Sequence, residues 1–172
     1  MSFNPDFENL VKLYYRDLYR FGLSLTTSEA DAADLTQETF YIWANKGHQL
    51  KNPVKVKAWL FTTLHRQFLQ TRRHQMRFQN EPIDEASADF THVPAQCVDR
   101  IDAQTLLNFL GQLDENHRAP LALYYLEDLS YNEIAETLAV PLGTVQSRIA
   151  RAKIKLLQLL NQSAQPPPKD DH

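Results

Sequence analysis

The chain has 172 residues and a formal net charge of -3, which is long enough for one ordinary domain or for two small helical ones. It has only 4 glycines, and its long stretches rich in Leu, Ala, Gln, Glu, Lys and Arg carry no alternating β-branched runs, so an all-α protein is predicted. No apolar stretch approaches the ~20 residues of a membrane span, the first residues lack a signal peptide, and the single cysteine excludes an intrachain disulfide, so we expect a cytoplasmic protein.

Three amphipathic helices are predicted in the first half of the chain. The first ends in the turn Thr26–Ser28, where Ser28 can cap a second helix that stops at Gly47. A third begins at Asn52 and Pro53, a capping residue followed by proline at the first helical position. The first helix has an apolar stripe of Phe7, Leu10, Val11, Tyr14, Leu18, Phe21 and Leu25. The third has an apolar face of Val56, Trp59, Leu60, Leu64 and Phe68.

Charge is segregated along the chain. The stretch from Lys51 to Arg77 is basic without any Asp or Glu, the stretch from Glu81 to Asp102 is acidic apart from Arg100, and Arg148–Lys155 is basic again. The sequence therefore predicts two basic faces separated by an acidic connector, which the overall acidic balance hides.

The acidic segment divides the chain into two predicted domains. Between residues 78 and 100 the apolar periodicity fades, and Pro82 and Pro94 interrupt the chain, so we expect a flexible acidic linker. The domains would then span residues 1–77 and 101–162, and the proline-rich residues 163–172 would form a disordered tail. In the second domain, helices are predicted from Ile101 to Leu113 and from Pro120 to Leu126.

The stretch from Leu129 to Arg151 predicts a helix-turn-helix. Ser130 and Glu133 form a capping box, and Val140–Gly143 is the predicted break between two short helices. The small side chain of Ala135 would let these helices approach closely. Ile134 and Leu138 supply the inner face of the first helix, and Val145 and Ile149 that of the second. The residues that would project outward toward a DNA major groove are Gln146, Ser147, Ala150 and Arg151. On charge pattern alone, a helical hairpin with a solvated basic face is an open alternative.

Both domains resemble the extracytoplasmic-function sigma factors of bacterial RNA polymerase. Leu129–Ala135, Pro141–Arg148 and Arg151 with Ala152 follow the helix-turn-helix pattern of region four in that family. Asp31–Phe40 is similar to the region-two helix that docks on the polymerase clamp, and Trp59–Phe61 with the arginine-rich segment after it is similar to the helix that recognises the minus-ten element. The two matches occur in the order of the family.

The resemblance implies three sets of functional residues. Those expected to bind core polymerase, through its beta and beta-prime subunits, are Asp31, Asp34, Gln37 and Glu38, of which the three acids share one helical face. Those expected at the minus-ten DNA are Lys51, Lys55, Lys57, Phe61, His65, Arg66, Arg72 and Arg73. Phe61 is a candidate stacking platform, and burial is the more common state of aromatic residues such as Phe61 and Trp59. Those expected at the minus-thirty-five DNA are Thr144, Gln146, Ser147, Arg148, Ala150 and Arg151.

The minus-ten helix departs from the family at one point. Where the family usually has Ala-Arg-Asn followed by Asp, this chain has Leu64, His65 and Arg66 followed by Gln70. We therefore expect Arg66 to meet a phosphate group in place of the base contact that Asn would make.

The family resemblance also implies partners and excludes some functions. Members are commonly held inactive by an anti-sigma protein, so such a partner is expected beside polymerase and promoter DNA. An autonomous helix-turn-helix regulator that never contacts polymerase is the alternative. An enzyme is disfavoured because the six histidines have no metal-ligand spacing and no phosphate-binding loop is present, so no catalytic residue, metal or cofactor is expected.

Overall fold

The computed structural model describes residues 6–77 and 103–163, and these residues form seven α-helices and two 3-10 turns without a β-strand. The N-terminal unit, residues 6–77, contains α1 (Phe7–Thr26), α2 (Glu29–Lys46), the 3-10 turns Gly47–Gln49 and Pro53–Lys55, and α3 (Val56–Met76). The C-terminal unit, residues 103–163, contains α4 (Ala103–Leu110), α5 (Glu115–Tyr125), α6 (Tyr131–Leu138) and α7 (Leu142–Ser163). The all-α prediction is confirmed, whereas the predicted linker and tail lie outside the described residues, apart from Ser163 at the end of α7.

Local capping explains where the first two helices begin and end. The Asp6 side chain accepts a hydrogen bond from the Glu8 amide, and the Ser28 hydroxyl accepts one from the Asp31 amide at 3.3 Å. Gly47 stops α2, as predicted, but not through a left-handed conformation, because its φ is -60°. Glycine is required at this position for a steric reason, because a Cβ atom at position 47 would lie 2.5 Å from the indole ring of Trp43.

The three helices of the N-terminal unit pack around a hydrophobic core. Leu18, Phe21, Leu60, Phe61 and Leu64 are fully buried there, at 0% exposure. The Asn52 side chain accepts a hydrogen bond from the Val54 amide at 3.0 Å and so caps the turn with which the predicted third helix begins. The regular α-helix starts at Val56.

The C-terminal unit departs from the sequence prediction at two boundaries. Helix α5 begins at Glu115, and Pro120 lies inside it, so the predicted start at Pro120 was wrong. Pro120 lies in the middle of the 11-residue helix, where its missing amide removes one backbone hydrogen bond, and its side chain is buried in the packed core of this unit. In the helix-turn-helix, Leu142 and Gly143 are already helical, so the break is shorter than predicted.

The helix-turn-helix itself is built as its sequence predicts. The Glu133 carboxylate accepts a hydrogen bond from the Ser130 amide at 2.7 Å, and the Glu133 amide donates to the Ser130 hydroxyl at 3.2 Å, which completes the capping box. Helix α6 ends at Ala139, which has the left-handed φ of 54°. Ile134, Val145 and Ile149 are fully buried between α6 and α7.

The two units pack against each other. Their buried side chains form one continuous hydrophobic cluster, in which α1 contacts α5 and α3 contacts α6. Two basic helices, α3 and α7, therefore belong to one compact body in this structure.

Candidate functional site

One face of α2 is polar and open. Asp31, Asp34, Gln37 and Glu38 are all exposed, whereas Ala32, Leu35, Thr36, Thr39, Phe40 and Trp43 are buried on the opposite side. The buried hydroxyl groups of Thr36 and Thr39 donate to the carbonyl oxygens of Ala32 and Leu35, each at 2.7 Å, so they cost the helix little. We call the four exposed residues the acidic face of α2.

Tyr41 extends this face by one turn and was missed by the sequence analysis. It follows Asp34 by seven residues, and 66% of its surface is exposed. An aromatic side chain beside a charged face is typical of protein interfaces. The seven-residue spacing from Asp34 was the sequence signal that could have identified it.

The basic residues around α3 divide into open and engaged groups. Lys51, Lys55, Arg66 and Arg73 are exposed. Lys57, His65 and Arg72 are half-buried. Val54, in the turn before α3, is the most exposed apolar residue described, at 86%. Lys51 and Lys55 precede α3, and Arg66 and Arg73 lie within it with their side chains open to solvent.

Phe61 is a core residue, so the prediction of a stacking platform was wrong. Its ring is fully buried, and the ring centroid lies 5.4 Å from that of Phe21. Phe61 shares a helical face with the buried Leu64 and Phe68, three and seven residues further along α3, so its side chain points into the N-terminal core. Trp59 is half-buried and packs edge-on against Trp43.

Helix α7 presents a narrower polar surface than its sequence suggests. Gln146 is exposed, whereas Thr144, Ser147, Arg148, Ala150 and Arg151 are half-buried. Lys153 belongs to the same basic block but is buried, with its Nζ atom 5.1 Å from the ring centroid of Tyr124 and 5.8 Å from that of Tyr125. Its ammonium group therefore packs against these two aromatic rings in this structure and is not part of the exposed basic surface.

Two histidines lie near the arginines of α7 and are neutral at neutral pH. Burial, and then the charge of Arg148, lower the pKa of His65 to about 4. Burial also lowers the pKa of His117, against the opposing charge of Asp114, and Arg151 and Arg148 lower it further. His65 belongs to α3 and Arg148 to α7, so these two helices are close enough for the charge of one to affect a side chain of the other.

Two of the basic side chains of α3 contact residues of the C-terminal unit. The Lys57 ammonium group donates to the carbonyl oxygen of Glu127 at 3.2 Å, and Arg72 forms an ion pair with Glu115. The Glu127 side chain is buried and accepts a hydrogen bond from Arg20 at 3.1 Å. Burial raises the pKa of Glu127 to about 7, although the hydrogen bond and charge of Arg20 act in the opposite direction.

The described residues offer no metal site and no membrane span. Within residues 6–77 and 103–163, no group of three or more His, Cys, Asp and Glu side chains is placed to hold a metal ion. No helix in the same ranges is long and apolar enough to cross a bilayer.

Comparison with known proteins gives matches over both units. The family model of Sigma-70 region 2 matches residues 10–78, and that of Sigma-70, region 4 matches residues 103–156. The ECF RNA polymerase sigma factor SigM of Bacillus subtilis is 30% identical over 157 residues, which is 90% of this chain and 94% of the relative. The RNA polymerase sigma factor YlaC of the same organism is 28% identical over 95% of this chain and 96% of its own length.

A solved structure is similar over nearly the whole chain. The sigma factor RpoE of Bartonella quintana, in complex with the anti-sigma factor NepR, has a TM-score of 0.72 and 26% identity. The similarity covers 92% of this chain and 98% of RpoE, so it includes both units.

Proposed function

Because the chain belongs to the sigma-70 family of RNA polymerase sigma factors, of the extracytoplasmic-function type, we propose how its surfaces divide the work of promoter recognition. As a member, it directs the core polymerase to promoters at transcription initiation. The observation that carries this function is the match to region 2 and region 4, in order, along one chain. The assignment of individual residues is our proposal.

The acidic face of α2 is proposed to bind core polymerase. Asp31, Asp34, Gln37 and Glu38 project from one rigid helix whose other side is locked into the core, so the face is preorganised. Tyr41 would add apolar contact area at its end. Carboxylates at this density fit a basic surface of the polymerase and would bind it in a salt-dependent way.

The basic residues around α3 are proposed to hold the minus-ten DNA. Lys51 and Lys55 lie before the helix and Arg66 and Arg73 on its exposed side, where they can meet phosphate groups of a separated strand. Lys57, His65 and Arg72 would join them once they are released from the C-terminal unit. Phe61 is omitted from this set because it is buried.

Helix α7 is proposed to read the minus-thirty-five element in duplex form. Gln146 and Arg151 are assigned to base edges and Arg148 to a phosphate group. Thr144, Ser147 and Ala150 line the same surface with small side chains that let the helix approach the groove.

Partners, chemistry and location follow from membership of the family. RpoE is held by an anti-sigma factor in its solved complex, and we infer that this chain also has an anti-sigma partner. The chain is a transcription initiation factor, and we assign it no catalytic residue and no cofactor. Because its partner polymerase works in the bacterial cytoplasm, we place it there.

A transcription assay tests the function. Purified bacterial core polymerase would be incubated with pooled genomic fragments, with and without the protein, and the RNA start sites would be sequenced. We expect discrete start sites that require the protein. Tight binding to DNA as a dimer, with no polymerase affinity and no new start sites, would instead support an autonomous helix-turn-helix regulator.

A further inference from the structure

One side of α3 carries a row of exposed polar side chains. Its members are Arg66, Gln70, Arg73 and Arg77, of which Arg77 is the C-cap residue of the helix and keeps a helical φ of -62°. At the ordinary α-helical repeat, these four positions lie within a sector of about 60° and follow one another over about 17 Å of the helix axis. We call these four residues the open row of α3.

The open row is not engaged by other described residues. Within residues 6–77 and 103–163, none of its four side chains forms an ion pair or a hydrogen bond with another side chain. The contacts of Lys57 and Arg72 with the C-terminal unit lie on a different side of the helix. The stretch from Lys51 to Arg77 also contains no carboxylate that could neutralise the arginines locally. The row is therefore available to a polyanion.

Gln70 differs from the other three members in its chemistry. Arginine is attracted to phosphate groups whatever the base sequence, whereas an uncharged amide gains little from phosphate. The amide has a donor and an acceptor side by side, and this pair matches the N7 and N6 atoms of adenine. The aspartate that the family usually has at this position would repel phosphate groups, so the neutral Gln70 also lets DNA approach more closely.

The exposed side of α3 suits paired DNA better than separated bases. No Phe, Tyr or Trp side chain of this helix is exposed: Phe61 and Phe68 are buried, and the half-buried Trp59 packs against Trp43. Separated bases are usually held by stacking on such rings. An α-helix instead fits the major groove of a duplex, which is ~12 Å wide, and reads base edges there. We therefore expect the DNA that lies against the open row to be still paired.

We propose that Gln70 is a specificity-determining residue, which reads an adenine in the major groove at the edge of the minus-ten element, where the two strands are still paired. Arg66, Arg73 and Arg77 hold phosphate groups around it and so fix the position of the helix on the DNA. This inference rests on the proposed function, because it requires α3 to lie on the minus-ten DNA.

A promoter library tests the sequence preference. The library is built on a promoter at which wild type starts transcription with core polymerase, and the base pairs of the minus-ten element and its flanks are randomised. We expect the wild-type polymerase complex to prefer adenine at one flanking position by roughly 5- to 100-fold over the other bases. Gln70→Ala should lose this preference and keep those at the other positions. An unchanged profile for Gln70→Ala would overturn the proposal.

A modified base then tests the contact at a single atom. Substituting 7-deazaadenine for that adenine removes the N7 acceptor and leaves base pairing intact. The substitution should weaken binding by wild type about as much as Gln70→Ala does, and it should not weaken binding by the variant further. Additive losses would show that Gln70 does not contact this atom. The thymine opposite should resist permanganate in the open complex, and its oxidation would overturn the reading of paired DNA.

Two variants on the same helix serve as controls. Gln75 is also exposed on α3, but its amide oxygen accepts a hydrogen bond from Arg72 at 3.2 Å, away from the open row, so Gln75→Ala should leave the sequence profile unchanged. Arg77→Ala should weaken binding to all library members about equally and reduce the salt dependence. A wild-type protein that is inactive with core polymerase would refute the proposed function, whereas an active one whose profile matches that of Gln70→Ala would refute only the role of Gln70.

Discussion

The carboxyl group of Glu127 is one of the few buried ionisable groups described in this protein, and its environment favours the neutral form. Arg20 and Asp17 face it from α1, and Lys57 faces it from α3. Burial outweighs the two cations and raises the pKa of Glu127 from 4.5 to about 7. The folded protein therefore holds this proton more tightly than the unfolded chain does.

Replacing Glu127 with Gln should make the protein relatively more stable as pH rises. The stability linked to the raised pKa is fully present below about pH 4.5 and is lost as pH rises through about 7. Gln keeps the neutral form at every pH, so the difference in unfolding free energy between Glu127→Gln and wild type should grow by roughly 1–3 kcal/mol from pH 5 to pH 8. Denaturant titrations at both pH values would measure it, with the exposed Glu136→Gln as control. A constant difference would mean that Glu127 is ionised throughout.

The two arginines of α7 should differ in what they contribute to DNA binding. Arg151→Ala should cost ~1–3 kcal/mol and relax sequence preference at the minus-thirty-five element, since a base-edge contact is lost. Arg148→Ala should weaken all sequences about equally and reduce the salt dependence. Binding of the polymerase complex to a promoter library would check both. Indistinguishable sequence profiles would contradict the proposed orientation of α7.

At the scale of elements, caps and periodicity were sufficient to predict α1, α2 and the helix-turn-helix. Ser28, Gly47 and the Ser130–Glu133 capping box act within one or two turns, so the sequence carries them directly. The start of α5 was missed because Pro120 is equally typical of a first helical turn. The residues assigned to polymerase docking and to DNA binding remain predictions. The burial of Phe61 could not be predicted from its own segment, because its ring packs against Phe21, which is distant in the sequence.

Adding a methyl group at Gly47 should destabilise the end of α2. The new Cβ atom would lie 2.5 Å from the Trp43 ring, which must move, and overpacking of this kind costs roughly 1–3 kcal/mol. Gly143→Ala is the matched control, because a Cβ atom there meets nothing within 4 Å. Thermal unfolding should show a lower Tm for Gly47→Ala alone. Equal Tm values for the two variants would show that Trp43 yields without cost.

Removing the charges from the acidic face of α2 should weaken polymerase binding without unfolding the helix. Alanine at Asp31, Asp34 and Glu38 leaves the buried side of α2 intact, so circular dichroism should be unchanged while core affinity falls about tenfold or more. Unchanged affinity would refute docking through this face.

Tyr41 can be tested against a residue of equal exposure on another helix. Tyr41 and Leu13 are each 66% exposed, on α2 and α1 respectively. Tyr41→Ala should weaken core binding, because it removes contact area at the end of the acidic face, and Leu13→Ala should not. Equal effects of the two substitutions in a core-binding titration would remove Tyr41 from the interface.

At the scale of the whole molecule, the sequence predicted two domains but not their shared core. Besides apolar packing and the contacts of Lys57 and Arg72 from the basic block, the units are joined by single residues that stand in no motif and no charge block, namely Arg20, Arg118 and Glu127. Isolated charges of this kind are usually solvated, so their sequence positions carried no signal. These contacts can be identified only from the three-dimensional structure of the two units together.

Arg118 should be worth more to the whole molecule than an ordinary surface arginine. Arg118→Met removes hydrogen bonds to three carbonyl oxygens and should lower the unfolding free energy by roughly 2–4 kcal/mol. The exposed Arg16→Met on α1 should change it little. Calorimetry should show one transition in wild type and a broadened or split one in Arg118→Met. A single sharp transition with unchanged Tm would show that Arg118 does not couple the units.

The tryptophan pair gives the molecule a built-in optical reporter of one half. The chain has 2 tryptophans, Trp43 and Trp59, and both lie in the N-terminal unit with ring centroids 5.0 Å apart and planes at 77°. Intrinsic emission excited at the red edge of the indole band therefore comes from that unit alone. Tyrosine emission gives no matching signal for the other half, because four of the 7 tyrosines, Tyr14, Tyr15, Tyr19 and Tyr41, also lie in the N-terminal unit. The indole signal of the unlabelled protein can thus follow the N-terminal unit as polymerase, DNA or denaturant acts on it.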